Sequence, residues 1–158
     1  MVRLGIALYG MDPGFFAIRG IRLCPVLTLK SQIAYLKTVD KGTYIGYERR
    51  YQAPSRTRIA TVPVGYNDGY PYLLSNKANV LIRAQRARIA GTVTMDYIMV
   101  DVGHIAGIKT GEEVVLIGLS GQDRIRVEEL ASYIGTIPYE ITCAIGRRVK
   151  RVYINGQV

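Results

Sequence analysis

The sequence predicts a mostly β domain, a barrel or a sandwich, interrupted by one short helix near residues 127–134. Three observations lead there. Short runs rich in β-branched, aliphatic and aromatic residues recur along the chain. Turn-forming groups separate them at close intervals: Asp40-Lys41-Gly42, Asn67-Asp68-Gly69, Lys109-Thr110-Gly111 and Gly118-Leu119-Ser120-Gly121. The aromatic content is twelve tyrosines with two phenylalanines and no tryptophan, a set that suits pleated, half-exposed surfaces.

Taken in order, the first element is Arg3-Leu4-Gly5-Ile6-Ala7-Leu8-Tyr9-Gly10. It imitates a short signal peptide, but Asp12-Pro13 ends the apolar run and no small-residue cleavage pattern follows, so it reads as a strand. Alternation then puts Arg3 and Gly5 on one face. The loop at Asp12-Pro13-Gly14 is the one boundary the sequence suggests. Val26 to Val39 alternates irregularly and ends in the first turn. Arg56 to Val64, Asn79 to Ile82, Ala87 to Val93, Ile98 to Val102 and Val114 to Ile117 are the further strand candidates. The helix is carried by Val127, Leu130, Ala131 and Ile134 at helical spacing, with Glu128 and Glu129 favourably placed in its first turn. Gly135 stops it, while Arg126 is a poor capping residue.

Composition bounds the function. A chain of 158 residues buries one good core, and 49% apolar with 21% charged residues is a globular balance. No apolar run approaches the ~20 residues that a membrane helix needs. Cys24 and Cys143 lack metal-ligand spacing and read as reduced thiols of a cytoplasmic protein. His104, the only histidine, rules out a histidine-rich metal site and sits in a turn after a strand, as a solvated residue. The net charge of +9 fits a nucleic-acid surface, a solvated basic exterior, or a face that docks on an acidic partner. The densest tracts, Arg83 to Arg88 and Arg147 to Arg151, alternate with apolar residues as half-buried strands do, which favours an ordinary exterior or docking face.

Four groups of residues carry more chemistry together than separately. These are Tyr44-Ile45-Gly46-Tyr47-Glu48-Arg49-Arg50-Tyr51, Val62-Pro63-Val64-Gly65-Tyr66-Asn67-Asp68-Gly69-Tyr70, Gly91-Thr92-Val93-Thr94-Met95-Asp96, and Thr136-Ile137-Pro138-Tyr139-Glu140. In order and separation they resemble the C-terminal domain of the alanine racemase family, and the resemblance covers the whole chain. It implies a Greek-key-like β-barrel over residues 15–158, with residues 1–14 as the tail of a (β/α)8 barrel domain whose remainder lies outside this chain. It also implies pyridoxal 5'-phosphate as cofactor, interconversion of L- and D-alanine in the cytoplasm for peptidoglycan, and a head-to-tail homodimer, with no nucleic-acid or membrane partner.

The resemblance assigns roles residue by residue. Inverting a carbon centre needs one group to remove a proton from one face and another to return one on the other. In this family these are a tyrosine, matched by Tyr47, and a cofactor-binding lysine of the barrel, which has no counterpart here. A tyrosine titrates near ~10 in isolation and needs positive charge or a hydrogen-bonded partner to act at neutral pH. Arg49 and Arg50 are close in sequence. The backbone amides of Gly5 and Ile6, with Tyr139, match the cofactor-phosphate ligands, and Arg3 matches the partner of the pyridine nitrogen. Arginine keeps its proton, which leaves the ring a weaker electron sink and favours racemisation over side reactions. Tyr66 matches the inner gate of the substrate passage, and the main chain of Met95 the contact to the substrate carboxylate, with Asp96 beside it. The phenol at 139 suits a methyl side chain better than a hydroxymethyl one. Glu48 stands where the family usually has glycine, and Tyr72 and Thr92 where many relatives carry arginine. The competing readings are a racemase of another small amino acid such as serine, and a non-catalytic basic β-barrel binding module.

Overall fold

Antiparallel pairing organises the computed structural model, which describes Met1 and residues 3–12 and 23–154. The first half contributes β1 (Leu29–Gln32), β2 (Tyr35–Val39), β3 (Tyr44–Ile45), β4 (Tyr51–Gln52) and β5 (Thr57–Val62). The second contributes β6 (Asn79–Ile82), β7 (Gln85–Arg88), β8 (Ile98–Asp101), β9 (Glu113–Ser120) and β10 (Asp123–Ile125), followed by helices α1 (Val127–Ile134) and α2 (Pro138–Ala144). One sheet has the order β1-β9-β6-β7 with β10 also on β9, a second is β2-β5-β8, and β3-β4 is a ribbon. The expectation of a mostly β fold with α1 at 127–134 holds. Most strands surround one main core, with Val39, Ile45, Ala53, Ile59 and Ala90 forming a second, smaller cluster, and among the described residues they form three sheets and not one closed ring.

The joins between sheets explain the irregular alternation of Val26 to Val39. At Ile33-Ala34 the chain leaves one sheet for the other: the Ile33 amide donates to Glu112 O at 2.9 Å and the Ala34 amide to Thr61 O at 2.9 Å. The change of sheet breaks the period of two. A second join is the antiparallel bridge of Ile89 to Val100, just past β7. The expected strand Ala87 to Val93 therefore begins at Gln85 instead, since Arg83 and Ala84 form the two-residue turn of the β6-β7 hairpin. Both have positive φ, 51° and 59°, the conformation such a turn demands and one usually met by Asn-Gly. The turn is held by the Arg83 guanidinium, which reaches Glu112 and the carbonyls of Ala106 and Gly107.

The core takes both faces of β9, where Val114 to Ile117 are all buried, while β1, β6 and β10 pair along its edges. An unbroken apolar run is what a strand covered on both faces requires. Against it lie Ile33, Val62, Tyr70, Leu74, Leu81, Ile98 and Val100. Helix α1 closes one side with Val127, Leu130 and Ala131, and ends at Gly135 with φ 69°, whose amide donates to Ala131 O. Arg126 makes no side-chain cap. Instead the first-turn acids bind elsewhere: Glu128 accepts the Asp12 amide at 2.8 Å, and Glu129 accepts Arg86.

Three expectations need correction. Residues 3–10 are not an alternating strand: Gly5–Tyr9 forms a turn of 3-10 helix closed by Gly10 at φ 73°, with Ile6 buried and Leu4, Leu8 and Tyr9 exposed. A strand must have a neighbour to satisfy its amides, and a 3-10 turn satisfies them locally. Arg3 and Gly5 thus do not share a strand face. Helix α2 was not anticipated, being too short to show a period; Pro138 at its start fits a position that needs no amide donor. Nor is Arg147 to Arg151 a strand; it is a turn and an irregular segment. From residue 13 on, the boundary at Asp12-Pro13-Gly14 lies outside the described residues.

Candidate functional site

Tyr139 and the opening segment meet across 133 positions of sequence. The Ile6 amide donates to the Tyr139 hydroxyl at 3.3 Å. Gly5, at φ 56°, lies so close that an added β-carbon would stand 2.8 Å from the same hydroxyl. A glycine is needed there both for its backbone and for the room. Tyr139 occupies the first turn of α2, so the helix that sequence reading missed is what presents it. Arg3, two residues before Gly5, is exposed. A backbone amide and a phenol hydroxyl converging beside a glycine form a donor set that fits phosphate oxygens.

A second group joins Tyr66, Met95 and Asp96. The segment 94–97 is a tight turn: the Thr94 hydroxyl donates to Tyr97 O at 2.8 Å and accepts the Tyr97 amide at 3.1 Å, which puts Met95 and Asp96 at the tip. The turn of Tyr66–Asp68 lies on it, with the Tyr66 amide donating to Thr94 O at 3.0 Å and the Asn67 amide to Met95 O at 3.1 Å. Asp68 closes its own turn by accepting the Gly65 amide at 2.9 Å. Its other oxygen accepts Arg148 Nε at 2.7 Å, and Arg148 Nη2 reaches Asp96 at 2.8 Å. The bonds from Asp68 and then Asp96 raise the Arg148 pKa above its already high value. Sequence reading missed Asp68 and Arg148, the first because it looked like turn punctuation and the second because its tract looked like a strand.

Tyr47 sits in the short turn between β3 and β4, 72% exposed, far from the interior position that would have excluded a catalytic role. Its carbonyl accepts the hydroxyl of Thr92 at 3.2 Å, so Thr92 supports the turn. The next two residues, Glu48 and Arg49, have φ of 61° and 53°. Left-handed backbone is costly for side chains with a β-carbon, so the glycine that the resemblance leads one to expect at position 48 would suit this turn better than Glu48. The two arginines near Tyr47 are directed elsewhere: Arg49 lies over the Tyr44 ring at 5.4 Å, and Arg50 over the Tyr72 ring at 5.6 Å while pairing with Glu48.

Several of the remaining basic residues are engaged within the fold. Arg86 pairs with Asp123 and Glu129 and also reaches Arg124 O, while Arg88 holds Asn76 O. An open groove of about 450 Å³ runs past Tyr51, Arg86, Arg88, Asp101 and His104. In it, Asp101 accepts Thr57 and Tyr51 hydroxyls, each at 2.6 Å, and the Gly103 amide. Burial alone would raise the Asp101 pKa, but these donors together lower it. Burial and the bond to Asp101 push the Tyr51 phenol up to about 12. His104 is exposed and bonded to Arg86 O, as a turn residue. Among the described residues no group of three potential ligands could hold a metal ion, and no helix is long and apolar enough to cross a membrane.

Comparison with known proteins places this geometry. Residues 26–153 match the family model of the alanine racemase C-terminal domain. The chain is 48% identical to alanine racemase of Geobacter sulfurreducens, over 100% of this chain and 42% of the relative, and 50% identical to that of Halothermothrix orenii, over 98% and 41%. Among solved structures, alanine racemase from Bacillus anthracis with bound L-Ala-P superposes with a TM-score of 0.84 at 39% identity, covering 92% of this chain and 37% of that one. The enzyme from Bartonella henselae, with covalently bound pyridoxal phosphate, gives 0.86 at 34% identity, covering 95% and 40%. The chain therefore spans about two-fifths of the length of these relatives, and it belongs to the alanine racemase C-terminal domain family.

Proposed function

We propose that this chain is the C-terminal part of a pyridoxal 5'-phosphate-dependent alanine racemase, working with a (β/α)8 barrel domain in a head-to-tail homodimer. Residues 1–14 are the tail of that barrel, and the substrate is alanine, with D-alanine supplied in the cytoplasm for peptidoglycan. The observation that carries this reading is the meeting of the Ile6 amide and the Tyr139 hydroxyl beside Gly5, at positions remote in sequence and apt for a phosphate. The coverage of the relatives, near two-fifths of their length, supports a preceding domain.

When bound, the cofactor withdraws electrons from the substrate and makes its α-proton labile. Gly5, Ile6 and Tyr139 hold the phosphate by backbone amides and a hydroxyl. Arg3 gives the ring nitrogen a permanent cation that donates a hydrogen bond without giving up its proton. Tyr47 of one protomer serves the site of the other, its deprotonated phenolate taking the α-proton of L-alanine to become the phenol, which gives that proton back in the reverse direction. The lysine that acts on the opposite face belongs to the barrel. Met95 offers main-chain groups to the substrate carboxylate, with Asp96 beside them, and Tyr66 narrows the way in. Tyr139, pressed against Gly5, leaves room for a methyl side chain in preference to a hydroxymethyl one.

The test joins this chain to the barrel domain of the Geobacter relative and measures racemisation of L- and D-alanine and of serine. Alanine should be the better substrate. Tyr47→Phe should lower kcat for L-alanine by ~10²-fold or more, the scale of a lost general base, with a different loss for D-alanine. Equal, undiminished rates in both directions would remove Tyr47 from the mechanism.

A further inference from the structure

We infer that Arg148 is a positioning residue that locks the turn bearing Tyr66 to the turn bearing Met95 and Asp96, and thereby sets the seat of the substrate carboxylate. This deepens the racemase reading and rests on it for the identity of the substrate. The geometry is specific. A planar guanidinium puts one arm on Asp68 at 2.7 Å and another on Asp96 at 2.8 Å, a two-point bridge that a single ammonium cannot reproduce in the same directions. Asp68 is firmly set: only 13% of its side chain is exposed, and its second oxygen is bound to the Gly65 amide.

The backbone that carries Arg148 is equally constrained. The Gly146 amide donates to Asp68 O at 2.9 Å, and a β-carbon on Gly69 would stand 2.0 Å from Ala144 O, so the segment after α2 lies directly on the Tyr66–Gly69 turn. Arg151 closes the same segment by binding the carbonyls of Ile145, Gly146 and Val149. Because α2 also bears Tyr139, one short stretch of chain fixes both the proposed phosphate contact and the proposed carboxylate contact. Arg148 has an electrostatic part as well: Asp96 next to a bound carboxylate would repel it, and the guanidinium offsets that charge.

The test uses the same joined enzyme, with Arg148→Met, Arg148→Lys, Asp96→Asn and the double variant R148M/D96N. Arg148→Met should raise KM for alanine ~10-fold while kcat stays within ~3-fold, the split expected when ground-state and transition-state binding fall together. Arg148→Lys should recover part of that loss, and adding Asp96→Asn to Arg148→Met should lower KM again by removing the unbalanced charge. Independently of activity, hydrogen exchange at the amides of Tyr66 and Asn67 should quicken ~10-fold in Arg148→Met, with the core amide of Ile89 unchanged. An unmodified joined enzyme without racemase activity would overturn the functional reading alone, since the exchange measurement still tests the lock. Unchanged exchange at Tyr66 and Asn67, or a lower melting temperature with KM unaltered, would overturn the positioning role.

Discussion

Replacing Gly65 by alanine perturbs the contact between the two substrate turns and little else. Gly65 is extended, with φ −152°, so a β-carbon adds no backbone strain there. Its methyl would stand 2.2 Å from Met95 O and 2.3 Å from Thr94 O, both backbone atoms. Ordinary contact begins near 3.4 Å, so the two turns must part by about 1 Å. That stretches the bonds from Tyr66 to Thr94 and from Asn67 to Met95, now 3.0 and 3.1 Å, beyond useful hydrogen-bond geometry. Two lost bonds at ~1 kcal/mol each, with some residual crowding, amount to a destabilisation of ~2–4 kcal/mol. On the racemase reading these turns position the substrate, and a displacement of this size there should cost ~10²-fold in rate. Thermal unfolding and steady-state kinetics of the joined enzyme measure the two effects. Gly111→Ala is the control: no heavy atom lies within 4 Å of its added carbon, and φ of 88° costs ~1–2 kcal/mol of backbone strain with no effect on turnover. A Gly65→Ala enzyme that melts within ~1 °C of the parent and keeps its kcat/KM would refute the reasoning.

Gly5→Ala adds both strain at φ 56° and a contact of 2.8 Å with the Tyr139 hydroxyl, and should weaken retention of pyridoxal 5'-phosphate ~10-fold in a titration of the joined enzyme, a loss of ~1.4 kcal/mol. Tyr139→Phe should weaken it comparably, and combining the two should add little, because both act on one contact. The pair of Tyr51 and Asp101 predicts a pH dependence of stability. Asp101 has a lowered pKa in the folded state, so its contribution is present above the unfolded carboxylate range, near 3.8, and is lost as pH falls through the folded value. Tyr51 moves from 10.0 up to about 12, so the fold favours its protonated form; that contribution is present below pH 10 and fades as pH rises toward 12. Denaturation followed from pH 3 to pH 11 should show both losses, and Tyr51→Phe should flatten the alkaline one. An unchanged alkaline slope in that variant would refute the assignment.

What could be read from the sequence depended on how local its cause was. Helix α1 was legible to the residue because its apolar stripe and Gly135 act within a few turns of chain. Strand β6 was legible because Val80 to Ile82 is a short unbroken run of aliphatic, mostly β-branched residues, which the fold buries. Where the cause was distant, the reading faltered. Arg83-Ala84 forms a hairpin turn without turn-type residues because Glu112 and two carbonyls, far along the chain, hold the arginine in place. Residues 3–10 alternate like a strand but have no partner strand among the described residues, and so coil locally. The proposed site divides the same way. Tyr47, Tyr66, Met95 and Tyr139 were singled out through the family resemblance, whereas Arg148 was overlooked because its significance lies in two carboxylates 52 and 80 positions away.

The exposure of Tyr47 argues for the assembly as much as for the residue. A base that must exchange a proton with carbon works best where water is excluded, since solvent would otherwise compete for the phenol and for the carbanionic charge it leaves behind. At 72% exposure, with the exposed rings of Tyr44 and Tyr72 bound to its neighbours Arg49 and Arg50, the turn at 47–50 has no such cover among the described residues. Its backbone is nonetheless held in a costly left-handed path and tied down by Thr92 and by Asn76, whose amide donates to Arg50 O at 2.8 Å. A turn fixed at that cost yet open to solvent is shaped for a surface that arrives from outside the domain. On the racemase reading that surface is the barrel of the other subunit, so dimer dissociation should abolish turnover at once, without any loss of the fold around residue 47. Activity that persists in a demonstrably monomeric form would show that Tyr47 needs no partner's cover, and the cross-subunit mechanism would fall with it.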